Sequence, residues 1–194
     1  MKLKGLSQEE QIEKVAEIKA LKMCVWWNLV EAGQVKEIGD GSELYMAILS
    51  AEQIGVSSAS ESMSLGKIND ARGFEEWANA VNNIMSGGYA FVHPINHYPW
   101  CESGRINCFA YRLDDKIVAT AAVINNGGVC SLEFVSTDKN YRRHGLAKAV
   151  CAGAMKDAFA NGAKIITLRA SEPGTRELYT TLGFEIYNRA LDEF

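Results

Sequence analysis

The chain reads as an α/β protein built on a mixed sheet, and three features of its 194 residues say so. Arg105 to Leu113, Lys116 to Ile124 and Val129 to Val135 are successive strand-like runs joined by short turns, which predicts an antiparallel meander. A helix-like run follows, with Leu146, Val150, Ala154 and Ala158 at four-residue spacing. Lys164 to Ala170 is then a further β-branched run, so strand, helix and strand predict a right-handed parallel crossover.

The earlier elements follow from capping and stop signals. Ser7 precedes Glu10 at capping-box spacing, and Ile18, Leu21, Val25 and Leu29 form one stripe, which predicts a helix from Ser7 to Ala32 stopped at Gly33. Trp26 and Trp27 belong to the packing of that helix. Glu43 to Ser50 fits either a strand or a short helix, and Ser57 to Ser64 reads as a serine-rich loop. Asp70 caps a helix running through Met85, which Gly87 and Gly88 end. Tyr89 to His93 is a short apolar run stopped by Pro94, and residues 94–104, with Pro94, Pro99 and Gly104, predict a loop.

Asp114-Asp115 and Asn125 to Gly128 supply the turns of the meander. Gly162 closes the crossover helix, Ser171 to Gly174 reads as a loop, and a short helix from Thr175 to Leu182 leads into a last strand, Phe184 to Asn188. The change of pattern at Tyr89 divides the chain into a mainly helical N-terminal region, 1–88, and an α/β domain, 89–194.

A hydrophobic fraction of 47% and a charged fraction of 23% are those of an ordinary globular protein with a sizeable core. The net charge of −4 argues against a broad nucleic-acid footprint. No apolar run reaches the length of ~18 residues a membrane span needs, and Met1 to Gly5 lacks a signal-peptide core. The five cysteines are odd in number and show no C-x-x-C or zinc-finger spacing, so the expectation is reduced thiols in a cytoplasmic protein without a metal. Cys101 and Cys151 have no histidine placed in sequence to suggest a nucleophilic dyad.

The chemistry-bearing segment runs from Tyr141 to Lys148. Arg142-Arg143-His144-Gly145-Leu146-Ala147 fits a pattern of Gln or Arg, two residues, Gly, one residue, then Gly or Ala. Gly145 lets the backbone approach a phosphate closely, and Ala147 keeps the first helical turn uncrowded. The helix start adds unpaired N–H groups and a partial positive charge, and Lys139, Arg142, Arg143 and Lys148 add local basicity. A nucleotide triphosphatase is disfavoured, because the loop lacks the Gly-Lys-Ser/Thr triplet that holds β/γ-phosphates and magnesium.

Two segments together resemble the GNAT superfamily of acyl-CoA-dependent N-acyltransferases. Val135 to Ala147 is similar to that family's strand-to-phosphate-loop motif, and Leu178-Tyr179-Thr180-Thr181-Leu182-Gly183-Phe184 to its C-terminal motif. The resemblance covers roughly residues 89 to 190. It implies a GNAT-type fold with an N-terminal helical extension, and a catalytic domain binding acetyl-CoA as acyl donor. By the same resemblance, Val135, Ser136 and Thr137 lie along the pantetheine arm. Arg142, Arg143, His144, Gly145, Leu146, Ala147 and Lys148 surround the pyrophosphate. Two departures are Arg143, where many members have Gly, and Lys139, where proline is frequent; neither removes an N–H donor.

The implied reaction is direct attack by a primary amine on the thioester, with Tyr179 as proton donor to the leaving thiolate. For the general base, Glu133 stands two residues before Val135, which in a regular strand puts the two on one face. An ordinary charged sheet residue, His93 or His97 beside Pro94, and a water relay are the other readings. Trp100 either lines the acceptor pocket or wedges a loop. The acceptor is a small-molecule or peptide amine, and residues 1–88 shape its pocket or form a homodimer surface. The alternative to an enzyme is a non-catalytic acyl-CoA-binding sensor or scaffold with the same fold.

Overall fold

The computed structural model describes residues 44–55, 64–88, 90, 92–170 and 173–188. The helix expected from Ser7 to Ala32, with Trp26 and Trp27, lies outside these, as do Ser171 and Glu172. Seven strands form one sheet in the order β2-β3-β4-β5-β6-β1-β7. They are β1 (Leu44–Ile48), β2 (Ser64–Lys67), β3 (Ile106–Leu113), β4 (Lys116–Asn126), β5 (Val129–Thr137), β6 (Ile165–Ala170) and β7 (Glu185–Asn188). Among the described residues four α-helices accompany them: α1 (Ala71–Ser86), α2 (Pro94–Glu102), α3 (Leu146–Ala160) and α4 (Pro173–Thr181).

The meander forms because its turns accept the required backbone. Asp114 and Asp115 both take positive φ, 47° and 65°, the geometry of a two-residue hairpin turn, and Gly127 and Gly128 do the same between β4 and β5. The crossover also forms: β5 and β6 run parallel, with α3 between them in sequence. Glu43 to Ser50 resolves as strand. Leu44–Ile48 pairs antiparallel with β6 on one side and with β7 on the other. The sheet therefore takes two of its strands, β1 and β2, from the region before residue 89.

The loop expected at 94–104 is a helix over Pro94–Glu102. Pro94 is at the helix start, where its missing N–H costs nothing, and Pro99 interrupts the bonding only once in a short element. The ring of His97 also ties its first turn, with Nδ1 2.9 Å from both the N–H and the carbonyl oxygen of His93.

Two apolar layers flank the sheet. On one face α3 and α4 bury Leu146, Val150, Met155, Tyr179 and Leu182 against Met46, Val118, Leu132 and Leu168. On the other face α1 buries Phe74, Trp77 and Val81 with Cys108, Ala122 and Ile124. Asp70 caps α1 by accepting from the Gly73 N–H at 2.7 Å, and Gly87 ends it at φ 67°. The Trp77 indole N–H donates to the Phe109 carbonyl at 3.0 Å, so this helix is keyed to the sheet by a buried bond as well as by area.

Candidate active site

The parallel ladder between β5 and β6 lasts for three residue pairs and ends at Ser131 and Thr167. Beyond that point β6 continues beside β1, with Leu168 opposite Met46, while β5 continues beside β4 to Thr137. The two strands thus diverge, and the second half of β5, Leu132 to Thr137, borders the opening. Val135, Ser136 and Thr137 lie along this edge. Thr137 Oγ1 is buried there and has no hydrogen-bond partner, a polar atom suited to an amide-bearing ligand lying in the cleft.

A bulge re-aims the side chains at the mouth. Thr120 pairs with Ser136 and Ala122 with Glu133, so Phe134 and Val135 together oppose Ala121, and Phe134 takes φ 52°. The Thr120 hydroxyl, fully buried, pins this kink: it donates to the Phe134 carbonyl at 2.9 Å and lies 2.6 Å from the Ser136 hydroxyl. Because Thr120 has one proton to give, Ser136 is the donor in the second bond. The bulge corrects the expectation that Glu133 and Val135 share a face. Val135 packs in the same apolar layer as Leu132, the residue next to Glu133, whereas Phe134 packs with α1. Glu133 therefore turns to the α1 face, where the Ser131 hydroxyl donates to its Oε1.

At the end of β5 the chain makes a short turn, Lys139–Tyr141, and enters α3. Asp138 organises this turn: its carboxylate accepts from the Asn140 N–H at 3.0 Å and from Lys116 Nζ at 2.7 Å. Lys116 and the Asn140 N–H hold the Asp138 carboxyl below the usual range. Arg143 and Gly145 both adopt positive φ, 68° and 75°. Gly145 is the N-cap and makes no side-chain cap bond; the Ala149 N–H donates to its carbonyl at 2.9 Å. The N–H groups of Leu146, Ala147 and Lys148 precede any intrahelical partner and point out of the helix start. Arg142 through Gly145 are exposed. Arg142 Nε donates to the Thr137 carbonyl at 3.2 Å, and His144 Nδ1 lies 2.9 Å from the Arg142 carbonyl, so both side chains also shape the loop. The residues at the cleft and loop fit a pyrophosphate with an amide-containing arm.

Tyr179 comes from α4 on the opposite wall. It is 8% exposed and meets Phe184 edge-on, 6.0 Å between centroids. Burial, then the neighbouring Cys151 thiol, then the charge of Glu133 raise the phenol's pKa well above the ordinary tyrosine range. Tyr179 packs in the α3–α4 layer whereas Glu133 lies on the α1 face, and the Glu133 charge is the smallest of these three influences. Cys151, fully buried, is pushed up to about 12 by desolvation and stays a thiol.

On the α1 face, Phe74, Trp77, Val92, His97, Trp100, Ile106 and Phe134 line a small apolar recess. Trp100 meets His97 edge-on at 5.4 Å, and Trp100 is capped on its other side by the Arg105 guanidinium, 5.2 Å from the ring centroid. Burial lowers the pKa of His97, which favours its neutral form. Sequence reasoning missed Trp77, Thr120 and the Phe134 kink. The one signal for them was a threonine inside the apolar run Ile117 to Ile124.

The Acetyltransferase (GNAT) family model matches residues 74–184. The chain belongs to the GNAT acetyltransferase family. Solved structures agree. A GCN5-related N-acetyltransferase from Kribbella flavida is 25% identical, with a TM-score of 0.59 over 76% of this chain and 54% of that one. An acetyltransferase from Trypanosoma brucei is 19% identical, with a TM-score of 0.54 over 68% of this chain and 99% of that one. The ribosomal-protein-S18-alanine N-acetyltransferase from Escherichia coli is 17% identical, with a TM-score of 0.54 over 65% and 79%. The latter two share the GNAT fold with this chain. This GNAT chain spans about half the length of the Kribbella flavida protein. No curated protein resembles it closely enough to count as a match. Among the described residues no helix is long and apolar enough to cross a membrane. No group of three or more His, Cys, Asp and Glu side chains among them is placed to share a metal.

Proposed function

We propose that this GNAT domain transfers an acetyl group from acetyl-CoA to the primary amine of a small-molecule or peptide acceptor. The observation that carries the reading is the alignment of cleft and loop. The β5–β6 ladder ends at Ser131 and Thr167, and β5 then leads into an uncapped helix start at Gly145. In this reading the N–H groups of Arg143 to Lys148 receive the pyrophosphate. Val135 to Thr137 offer backbone and the Thr137 hydroxyl to the pantetheine arm.

Tyr179 holds its proton at any pH near neutral and presents a donor to the leaving sulfur. Because the phenol is so weakly acidic, much of its effect is a hydrogen bond to the charge that grows on that sulfur. Glu133, on the α1 face, takes the ammonium proton directly or through water. The acceptor approaches from that face, past α1 and α2. Residues 1–88 supply α1 to this side, and this division of labour between the two regions is part of the proposal.

Calorimetric titration with acetyl-CoA and with free CoA tests the reading. Micromolar binding that vanishes in an Arg142→Glu, Gly145→Glu double variant is expected, and no binding by folded wild type overturns it.

A further inference from the structure

We propose that Cys101 and Cys108 form a redox-modifiable thiol pair, closing under hydroperoxide to a disulfide between the end of α2 and β3. The inference does not rest on acetyl transfer. The two thiols come from different elements, and Cys101 packs against the apolar cluster that contains Cys108. Cys101 in turn donates to the Ile68 carbonyl at 3.9 Å, and the Ile68 N–H donates to the Cys108 carbonyl at 2.9 Å. The Cys101 sulfur and the Cys108 backbone thus both meet one residue of the neighbouring segment.

The pair is asymmetric in the way a reactive and a resolving thiol must be. Cys101 is partly exposed, whereas Cys108 is fully buried. The neighbouring Cys108 thiol lowers the Cys101 pKa against the opposing effect of burial, and Lys67 helps. Burial raises Cys108 well above the thiol range. Cys130 and Cys151 are also buried, pushed up to about 11 and about 12, and remain inert thiols. Selectivity among the described cysteines therefore follows from position.

The chemistry balances in two steps. The Cys101 thiolate attacks the hydroperoxide O–O bond; Cys101 gains the oxygen as a sulfenic acid, and the departing oxygen leaves, protonated, as water or an alcohol. The Cys108 sulfur then attacks the Cys101 sulfur, the S–S bond forms, and the sulfenic hydroxyl leaves with the Cys108 proton as water. The bond would staple α2 to the sheet one residue after Trp100, which with His97 lines the apolar recess. Oxidation thus acts on the wall of that recess.

The test uses the full chain with hydrogen peroxide. Trypsin cuts after Arg105 and separates the two cysteines, so the disulfide appears as a cross-linked pair of peptides that dithiothreitol releases. Before oxidation, Cys101 should alkylate at neutral pH at least about tenfold faster than Cys108, Cys130 or Cys151. In Cys108→Ser, dimedone should trap the Cys101 sulfenic acid. If that variant does not fold, the wild-type peptide map decides alone. Over-oxidation of Cys101 without cross-linking, a Cys101 link to Cys24 instead, or an unreactive Cys101 would each overturn the proposal.

Discussion

The ring of Phe134 meets the indole of Trp77 edge-on, with centroids 5.7 Å apart and planes at 87°. This contact joins the bulge of β5 to α1. It explains how a phenylalanine is kept at φ 52°: the ring is held by Trp77, and the carbonyl by the Thr120 hydroxyl. Trp77→Ala should cost about 3–5 kcal/mol, the usual loss for a large buried aromatic. Trp77→Phe should cost only about 1–3 kcal/mol, chiefly because the buried Phe109 carbonyl loses its donor. Urea denaturation of the two variants checks the order; equal losses would mean that the indole bond, and not the buried ring area, carries the stabilisation.

Tyr179→Phe keeps the ring in its contact with Phe184 and removes only the hydroxyl. Turnover with any accepted amine should fall about 100-fold or more, with acetyl-CoA affinity nearly unchanged. An unchanged rate would remove Tyr179 from the chemistry and favour the binding-module alternative. A weakened coenzyme affinity would assign the hydroxyl to binding instead.

The same hydroxyl makes a pH prediction. The folded pKa of Tyr179 is raised above its unfolded value near 10, so the native state binds this proton more tightly. Its stabilising contribution is complete below pH 10 and is lost as pH climbs from there through the folded pKa. Alkaline melts should therefore fall more steeply with pH for wild type than for Tyr179→Phe. Parallel curves would show that the phenol titrates normally.

The loop that enters α3 is legible in the sequence because its determinants are contiguous: Arg142, Gly145 and Ala147 and the helix stripe behind them. The meander is legible for the same reason, since its turns at Asp114-Asp115 and Gly127-Gly128 are local. β1 is ambiguous because Leu44–Ile48 becomes a strand only by pairing with β6 and β7, more than a hundred residues away. The Phe134 kink leaves no mark in Val129 to Thr137, and without it the period of two places Val135 on the face of Glu133. At α2, two prolines read as breakers although the first is a helix starter.

Arg143 sits at φ 68°, where glycine is at ease and an L side chain is strained by about 1–2 kcal/mol. Arg143→Gly should leave the melting temperature unchanged or slightly higher. Acetyl-CoA affinity should fall less than about fivefold, the share of one exposed charge. Gly145→Val, a β-branched residue forced to φ 75°, should lose binding. The pair of titrations separates backbone donors from side-chain charge; a large loss in Arg143→Gly would make the guanidinium the principal phosphate contact.

Gly183 closes the connection between α4 and β7 against the turn Ala51–Gln53. Its φ is 97°, and a Cβ built there would collide with the Gln53 carbonyl and press on Ile48 Cδ1 at 3.2 Å. The fit is reciprocal, because a Cβ on Gly55 would strike the Thr181 carbonyl, and the Gly55 N–H donates to the Leu182 carbonyl at 3.3 Å. Gly183→Ala must therefore pay for both backbone strain and displacement of the turn, about 3 kcal/mol together. Gly127→Ala is the control: its φ is also positive, 61°, but nothing lies within 4 Å of the added carbon, so it should lose only about 1–2 kcal/mol. The Phe184 N–H donates to the Tyr179 carbonyl at 3.0 Å, so displacement at Gly183 also shifts the α4 turn that carries the phenol. Turnover in Gly183→Ala should accordingly fall at temperatures where the protein is still folded, while in Gly127→Ala it should not. Equal melting temperatures for the two variants would mean that residues 50–55 do not seat against Gly183 in solution.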